Sequence, residues 1–352
     1  MTARPLFEVT RGDLVESVHY GSIAVVSANE KLVSSYGDPQ TVAFLRSSAK
    51  PFQVLPFVEH GGVEKFGLTP RELAIACASH EGNDLHVKTV EGIQKKVGID
   101  ECNLQCGVHL PSDVDAFKSL IVNAQELTAN RNNCSGKHSA MLAYAKMCGL
   151  PLENYLDLGH PIQQDILVAF AEMCLLPVKE IGLGTDGCSA PNFAVPLYHA
   201  ALGFARLCDP RGLPEARASA CRQITSAMTT HPEMVSGYGE FDCELMKVGE
   251  GKIVCKRGAE GYQIIGLLPG ALGPDSYGAG IALKVSDGDA SRMSLDLAHN
   301  NRVRPAVVVE ILRQLGALTL KQEQALAVFG PEKSIKNHRG LVTGRSRPLF
   351  KL

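Results

Sequence analysis

The chain has 352 residues, 20% of them charged, and a formal net charge of −2. That is room for a large core, without the basic excess that would make nucleic acid an expected partner. No apolar run reaches membrane-spanning length, residues 1–8 carry no apolar signal core, and the eleven cysteines are scattered and odd in number. The expectation is a cytoplasmic protein with reduced thiols, no disulfide framework and no membrane partner.

Residues 14–33 read as strands, because Val15, Val18, Ile23, Val25 and Val26 favour extended backbone. Gly21 and residues 28–30 mark turns within them, and Gly-Asp-Pro at 37–39 marks another. A short apolar strand over 41–45 then delivers the chain to Arg46-Ser47-Ser48-Ala49-Lys50-Pro51-Phe52. Ser47 and Lys50 stand three apart, so on a helical turn they share a face. A lysine kept neutral by burial or by a neighbouring cation can take a serine's proton and leave a nucleophile. Pro51 belongs in the first turn of a helix and disfavours α geometry at Lys50, which predicts an irregular turn. Strand-to-helix junctions of this kind present the nucleophile in many hydrolases. The plain alternative is an ordinary helix start capped by Ser48.

Thr69 and Pro70 open a helix over 70–77 that runs into Ala78-Ser79-His80-Glu81-Gly82. That stretch is either a loop presenting Ser79 or a satisfied helix cap. An amphipathic helix over 85–97 ends at Gly98. Residues 132–138, Asn-Asn-Cys-Ser-Gly-Lys-His, form a polar stretch opening an apolar helix over 139–148. Backbone N–H groups at such a start can hold a carboxylate, and Cys134, Lys137 and His138 are the side chains there that could point toward a site. A further helix runs over 161–175. In the glycine-bracketed stretch 182–191, Asp186 and Cys188 alternate and would share one face if extended. Cysteine and carboxylate are both zinc-competent, so the pair could meet Cys134 around a metal; otherwise this is a glycine-rich turn. Helices follow over 195–207 and 213–229, then a loop at 231–234 and a new element from 241. Strands at 253–256 and 262–266 form a hairpin turning at Gly261, and a strand over 278–285 precedes a helix over 305–315.

Ser47-x-x-Lys50, the loop serine Ser79 and Lys256-Arg257-Gly258 at a strand end follow the order of the three motifs of β-lactamases and penicillin-binding proteins, with the second and third degenerate. Taken with Asn133-Cys134-Ser135-Gly136-Lys137-His138, Thr185-Asp186-Gly187-Cys188, Lys256-x-Gly258-Ala259-Glu260-Gly261, His19, His231-Pro232 and Asp287-Gly288-Asp289, they resemble the rhizobial-type (class 3) L-asparaginase family, also called asparaginase II, across nearly the whole chain. The resemblance implies one domain over 1–352 with a mixed α/β fold, a serine-β-lactamase-like sheet flanked by helices. It implies hydrolysis of L-asparagine to aspartate and ammonia by two Ser-Lys tandems, Ser47 with Lys50 and Ser79 with Lys256. A competing assignment makes Ser79 the nucleophile. Zinc would be held by Cys134 and Cys188, with Lys137 close to the metal and Asp186 in support. Arg46, His138 and Ser79 would bind substrate, and a homodimer is the expected assembly. The rivals are another serine amidohydrolase of β-lactamase-like fold and a zinc-stabilised binding protein without activity.

Overall fold

The computed structural model describes residues 3–289 and 302–352, which separate into two compact units, each assembled from distant stretches of chain. The fold is mixed α/β, with an antiparallel sheet flanked by helices.

One unit comprises Met1–Ala43, Val195–Asp209 and Gly239–Leu352. Its core is an eight-stranded sheet in the order Lys333–Lys336, Val342–Pro348, Arg4–Arg11, Leu14–Ser27, Ala279–Val285, Tyr262–Leu267, Ile253–Arg257, with Leu32–Tyr36 also paired to Leu14–Ser27. The 14-residue strand Leu14–Ser27 holds the sheet together. Its exposed first half pairs with Arg4–Arg11, and its fully buried second half pairs with Ala279–Val285 and Leu32–Tyr36. Within the buried half, residues 23–26 form an apolar run, as a strand covered on both faces should have. Gly21 is therefore not a turn. A Cβ there would lie 2.5 Å from the Lys284 carbonyl oxygen, so glycine permits close approach of the neighbouring strand. The hairpin over 253–267 forms as expected, with Lys256 opposite Ile264. The helices Leu197–Cys208 and Val303–Gln314 pack on this sheet. The strands Arg4–Arg11, Lys333–Lys336 and Val342–Pro348 were not foreseen from the sequence: their polar and charged positions hide the alternation.

The second unit comprises Phe44–Ala194 and Pro210–Tyr238. It is mostly helical, with a short antiparallel pairing of Gly182–Thr185 against Pro191–Pro196. At its centre lies Lys50–Glu59, nine of whose ten residues are buried against Ser135–Met147, Pro161–Cys174 and Glu215–Thr230. There Phe52 meets Phe170 edge-on and Phe170 stacks on Phe193, with ring centroids 5.4 and 4.6 Å apart. Pro70–Ala76 starts with a full capping box between Thr69 and Glu72. Asp84–Val97 is capped by Asn83 and ends on Gly98 at φ 71°. The expected loop at 231–234 is instead a one-turn helix, Pro232–Val235, begun by its proline. The polar stretch 132–138 is mostly helix, because Ser135–Met147 begins four residues before the apolar run.

That early start is allowed by Gly136. A Cβ there would sit 2.2 Å from the Ile75 carbonyl oxygen, so the helix can press onto Pro70–Ala76 only with a hydrogen in that place. Gly136→Ala should cost about 1–3 kcal/mol by overpacking. Urea denaturation of the variant checks this, and unchanged stability would show that the two helices have room to part.

Candidate active site

The site in the helical unit grows from the turn before its central helix. Arg46 adopts a left-handed backbone at φ 52°, and a 3₁₀ turn over Arg46–Ala49 leads into Lys50–Glu59. Lys50 itself is helical, with φ −57° and ψ −40°, so Pro51 does not displace it as the sequence led us to expect. The irregularity is taken up four residues earlier, at Arg46.

Lys50 is fully buried, and all three N–H groups of its ammonium have acceptors. Nζ donates to Ser79 Oγ at 3.0 Å, to the Asn133 carbonyl at 3.0 Å and to the Ala78 carbonyl. None goes to Ser47, which is half-buried on the preceding turn. The i, i+3 spacing brings Ser47 and Lys50 onto one turn, but two carbonyls and a second hydroxyl reached across the unit take the donors. Burial lowers the Lys50 pKa, and the positive charge of Lys137 adds to the effect against the sulfurs of Cys134 and Cys188. Ser79 lies in a buried loop after Pro70–Ala76, with its backbone N–H bonded to the Val235 carbonyl at 2.9 Å.

Beside this pair sit two thiols from distant parts of the chain. Cys134 and Cys188 are buried and hydrogen-bonded to each other, and Lys137 Nζ donates to Cys188 Sγ at 3.0 Å. The Cys134 hydrogen bond and the Lys137 charge hold Cys188 far below the ordinary thiol value, while Cys134, donating to it, is pushed well above. One thiolate is thus shared by two sulfurs. Burial would lower Lys137, but the facing sulfurs outweigh it and keep the amine protonated. Cys106, whose charge state couples to Cys188, Lys137 and Lys50, is pushed by burial up to about 12 and stays a neutral thiol.

His138 completes this cluster from one side. Tyr155 Oη accepts the Gln105 backbone N–H at 3.0 Å and lies 2.6 Å from His138 Nδ1. A phenol oxygen has a second lone pair, so the hydrogen of this contact can come from the phenol or from Nδ1, and the other ring nitrogen is Nε2. That Nε2 is buried without a hydrogen bond of good geometry, although the ring lies against Cys188.

Asp186 has a different role from the one its spacing implied. Its Oδ1 accepts from Arg46 Nε at 2.8 Å and from the Gly187 N–H at 2.9 Å. A tight turn, with Asp186 N–H bonded to the Ala190 carbonyl and Ser189 at φ 68°, replaces the extended segment, so Asp186 and Cys188 do not share a strand face. Among the described residues no three His, Cys, Asp or Glu side chains gather as a metal-holding group. The two thiols become a zinc-competent set only with Lys137 as a third, deprotonated donor, and the orphaned His138 Nε2 beside them marks a place built for more than packing. The sequence reading missed the Asn133 and Ala78 carbonyls, Cys106 and Tyr155. Backbone acceptors leave no mark in a sequence, and a lone cysteine or tyrosine carries little.

Lys256 belongs to the sheet unit. It is fully buried on Ile253–Arg257, with Nζ donating to the Arg257 carbonyl at 3.0 Å. Its two sequence neighbours share one carboxylate: Asp242 accepts from the Arg257 N–H at 2.6 Å, from Cys255 Sγ at 3.3 Å and from Gln263 Nε2 at 2.9 Å.

The chain belongs to the L-asparaginase II family, which matches residues 7–348, and is therefore an amidohydrolase. No curated protein matches it. Among solved structures it resembles a probable glutaminase from Bacillus subtilis complexed with 6-diazo-5-oxo-L-norleucine, at 12% identity over 85% of each chain and a TM-score of 0.40. A β-lactamase from Mycobacterium bovis matches at 14% identity over 84% of this chain and 94% of that one, TM-score 0.43. At that level neither likeness bears on the chemistry of this site. No helix among the described residues is long and apolar enough to cross a membrane.

Burial holds His138 at about 4, below the ordinary histidine value. The unfolded chain takes up a proton there below about pH 6.5 and the folded chain does not, so stability should be lost as the pH is lowered. The expected contribution is about 1.4 kcal/mol per pH unit between about 6.5 and 4. Denaturation of metal-free protein across that range should show a shallower slope for His138→Gln; an unchanged slope would mean that His138 is charged when folded.

Proposed function

We propose that this amidohydrolase is an L-asparaginase, releasing ammonia from the side-chain amide of L-asparagine. The observation that carries the reading is the 3.0 Å contact between Lys50 Nζ and Ser79 Oγ, inside a buried site of a chain of this family. Lys50 in its neutral form takes the Ser79 proton as Oγ attacks the amide carbon. The C–N bond then breaks and the proton leaves with ammonia, giving an aspartyl ester on Ser79. A water molecule, deprotonated by Lys50, attacks that ester, and the proton returns to Ser79 as aspartate departs. Lowering of the Lys50 pKa by burial and by Lys137 supports this role, since only the free amine is a base. Ser47 stands on the adjoining turn as the competing nucleophile, and Lys256 enters the reading through the family pattern alone.

Arg46 suits a carboxylate of the substrate. Its Nε is held by Asp186, and its side chain is 28% exposed, which leaves the two terminal nitrogens for a fork-like contact. His138 is the neighbouring polar ring in the same cluster. Cys134, Cys188 and Lys137 would hold zinc, whose charge would bind and orient the amino acid.

Lys50→Met should slow ammonia release from L-asparagine by about 10²–10⁴-fold, the usual range for a lost general base. Peptide mapping of the trapped acyl-enzyme should place the aspartyl group on Ser79. Finding it on Ser47 would reverse the two serines, and no release from L-asparagine or L-glutamine by folded, zinc-supplied protein would overturn the asparaginase reading. Elemental analysis should find one zinc per chain, absent from Cys188→Ser. A zinc-free protein of full activity would remove the metal from the scheme.

A further inference from the structure

The residue directly after Ser79 is a histidine with a full set of ring partners. His80 is 1% exposed. Its Nδ1 accepts the Gly82 backbone N–H at 3.2 Å, so that nitrogen carries no proton. The ring proton therefore lies on Nε2, which donates to Ser135 Oγ at 2.9 Å. Ser135 passes its own hydroxyl hydrogen to the Asn130 carbonyl, also at 2.9 Å. Each hydrogen in this chain of contacts has one acceptor, and the tautomer follows from the heavy atoms. Burial, reinforced by the neighbouring His86, holds the imidazole well below its ordinary pKa and keeps it neutral.

Ser135 is the first residue of the Ser135–Met147 helix, two residues after the Asn133 carbonyl that Lys50 holds. The Ser79 loop is thus tied repeatedly to residues 131–135, with Arg131 Nη1 also donating to the Gly82 carbonyl at 2.8 Å. Lys50 links Ala78, Ser79 and Asn133, and His80 links the same loop to Ser135. Backbone bonds from Ser79 N–H to the Val235 carbonyl and from Asp113 N–H to the Glu81 carbonyl also anchor the loop; His80 adds the side-chain tie from the residue next to Ser79 to the helix start.

We propose that His80 is a positioning residue: as the Nε2–H tautomer it fastens the Ser79 loop to the start of the Ser135–Met147 helix and so holds Ser79 Oγ against Lys50 Nζ. This rests on the reading that Ser79 acts in amide hydrolysis. A ring that merely fills space would be replaced without loss by another ring, whereas a latch needs the N–H.

Three variants separate these roles: His80→Phe keeps the ring volume, His80→Gln restores a donor, and Ser135→Ala removes the acceptor. With L-asparagine as substrate, His80→Phe should lose about 10–100-fold in kcat, the scale of a small misplacement of a reacting group, with little change in KM. His80→Gln should recover most of the loss. Ser135→Ala should match His80→Phe, and the double variant should be no worse than either, because both remove the same bond. Full kcat in His80→Phe, or losses that multiply in the double variant, would overturn the proposal. Should His80→Phe fail to fold, Ser135→Ala against the rescue by His80→Gln decides by the same signs. If the parent releases no ammonia from L-asparagine or L-glutamine, the asparaginase reading fails separately. Crystal structures of Ser135→Ala and of the His80 variants then decide. A Lys50–Ser79 contact still at 3.0 Å overturns the latch, and an opened one supports it.

Discussion

Two amines are buried in the helical unit with no carboxylate bonded to either, and the arrangement of the site follows from how each is accommodated. Removing an ammonium from water is expensive unless hydrogen bonds and opposite charge replace the lost hydration. Lys137 finds a thiolate, Cys188, which in turn needs the hydrogen bond from Cys134. Lys50 donates to neutral groups, two carbonyls and the Ser79 hydroxyl, with the Cys134 and Cys188 sulfurs as weaker support against burial. Burial outweighs that support at Lys50 and not at Lys137, so the two lysines divide into one that stays charged and one that is the easier to discharge.

Besides the turn that carries Cys188, these contacts need three separate stretches of chain at fixed positions. The Lys50–Glu59 helix brings the amine, the loop after Pro70–Ala76 brings Ser79, and the Ser135–Met147 helix start brings Asn133 and the Cys134–Lys137 pair. Gly136 sets how closely the last two approach. Arg46 joins the turn before Lys50 to the turn before Cys188 through Asp186. Its left-handed backbone costs about 1–3 kcal/mol at a non-glycine residue, and such strain persists only where neighbouring contacts over-determine it. Here a short turn, a packed helix and the ion pair to Asp186 do so.

The sheet unit treats its own buried lysine differently. Lys256 lies on the strand at one end of the sheet, where backbone N–H groups on the outer side lack a strand partner. The Asp242 carboxylate takes the Arg257 N–H there and also collects Cys255 and Gln263, so both neighbours of Lys256 are held by one group. Arg304, paired with Asp289, donates to the Gly258 and Tyr262 carbonyls and braces the turn that follows.

Much of this was legible in the chain. Apolar periodicity, Thr69, Pro70, Gly98 and Pro161 placed the helices Pro70–Ala76, Asp84–Val97 and Pro161–Cys174 within a residue or two, because caps and proline act locally. The motifs around Ser47, Ser79, Cys134, Cys188 and Lys256 marked the family to which the chain belongs. The sequence could not tell that Gly21 lies inside a strand, since a turn and a close strand approach ask for the same residue. Nor could spacing decide partners. Ser47 and Lys50 are neighbours on a turn, yet Lys50 bonds Ser79; Asp186 and Cys188 are two apart, yet one faces Arg46 and the other Lys137. By itself the sequence determined which residues carry reactive groups and which short segments present them. Only the tertiary structure decided which groups meet, because a buried charge takes its acceptors wherever packing brings them, at separations of 29 and 83 residues for Lys50.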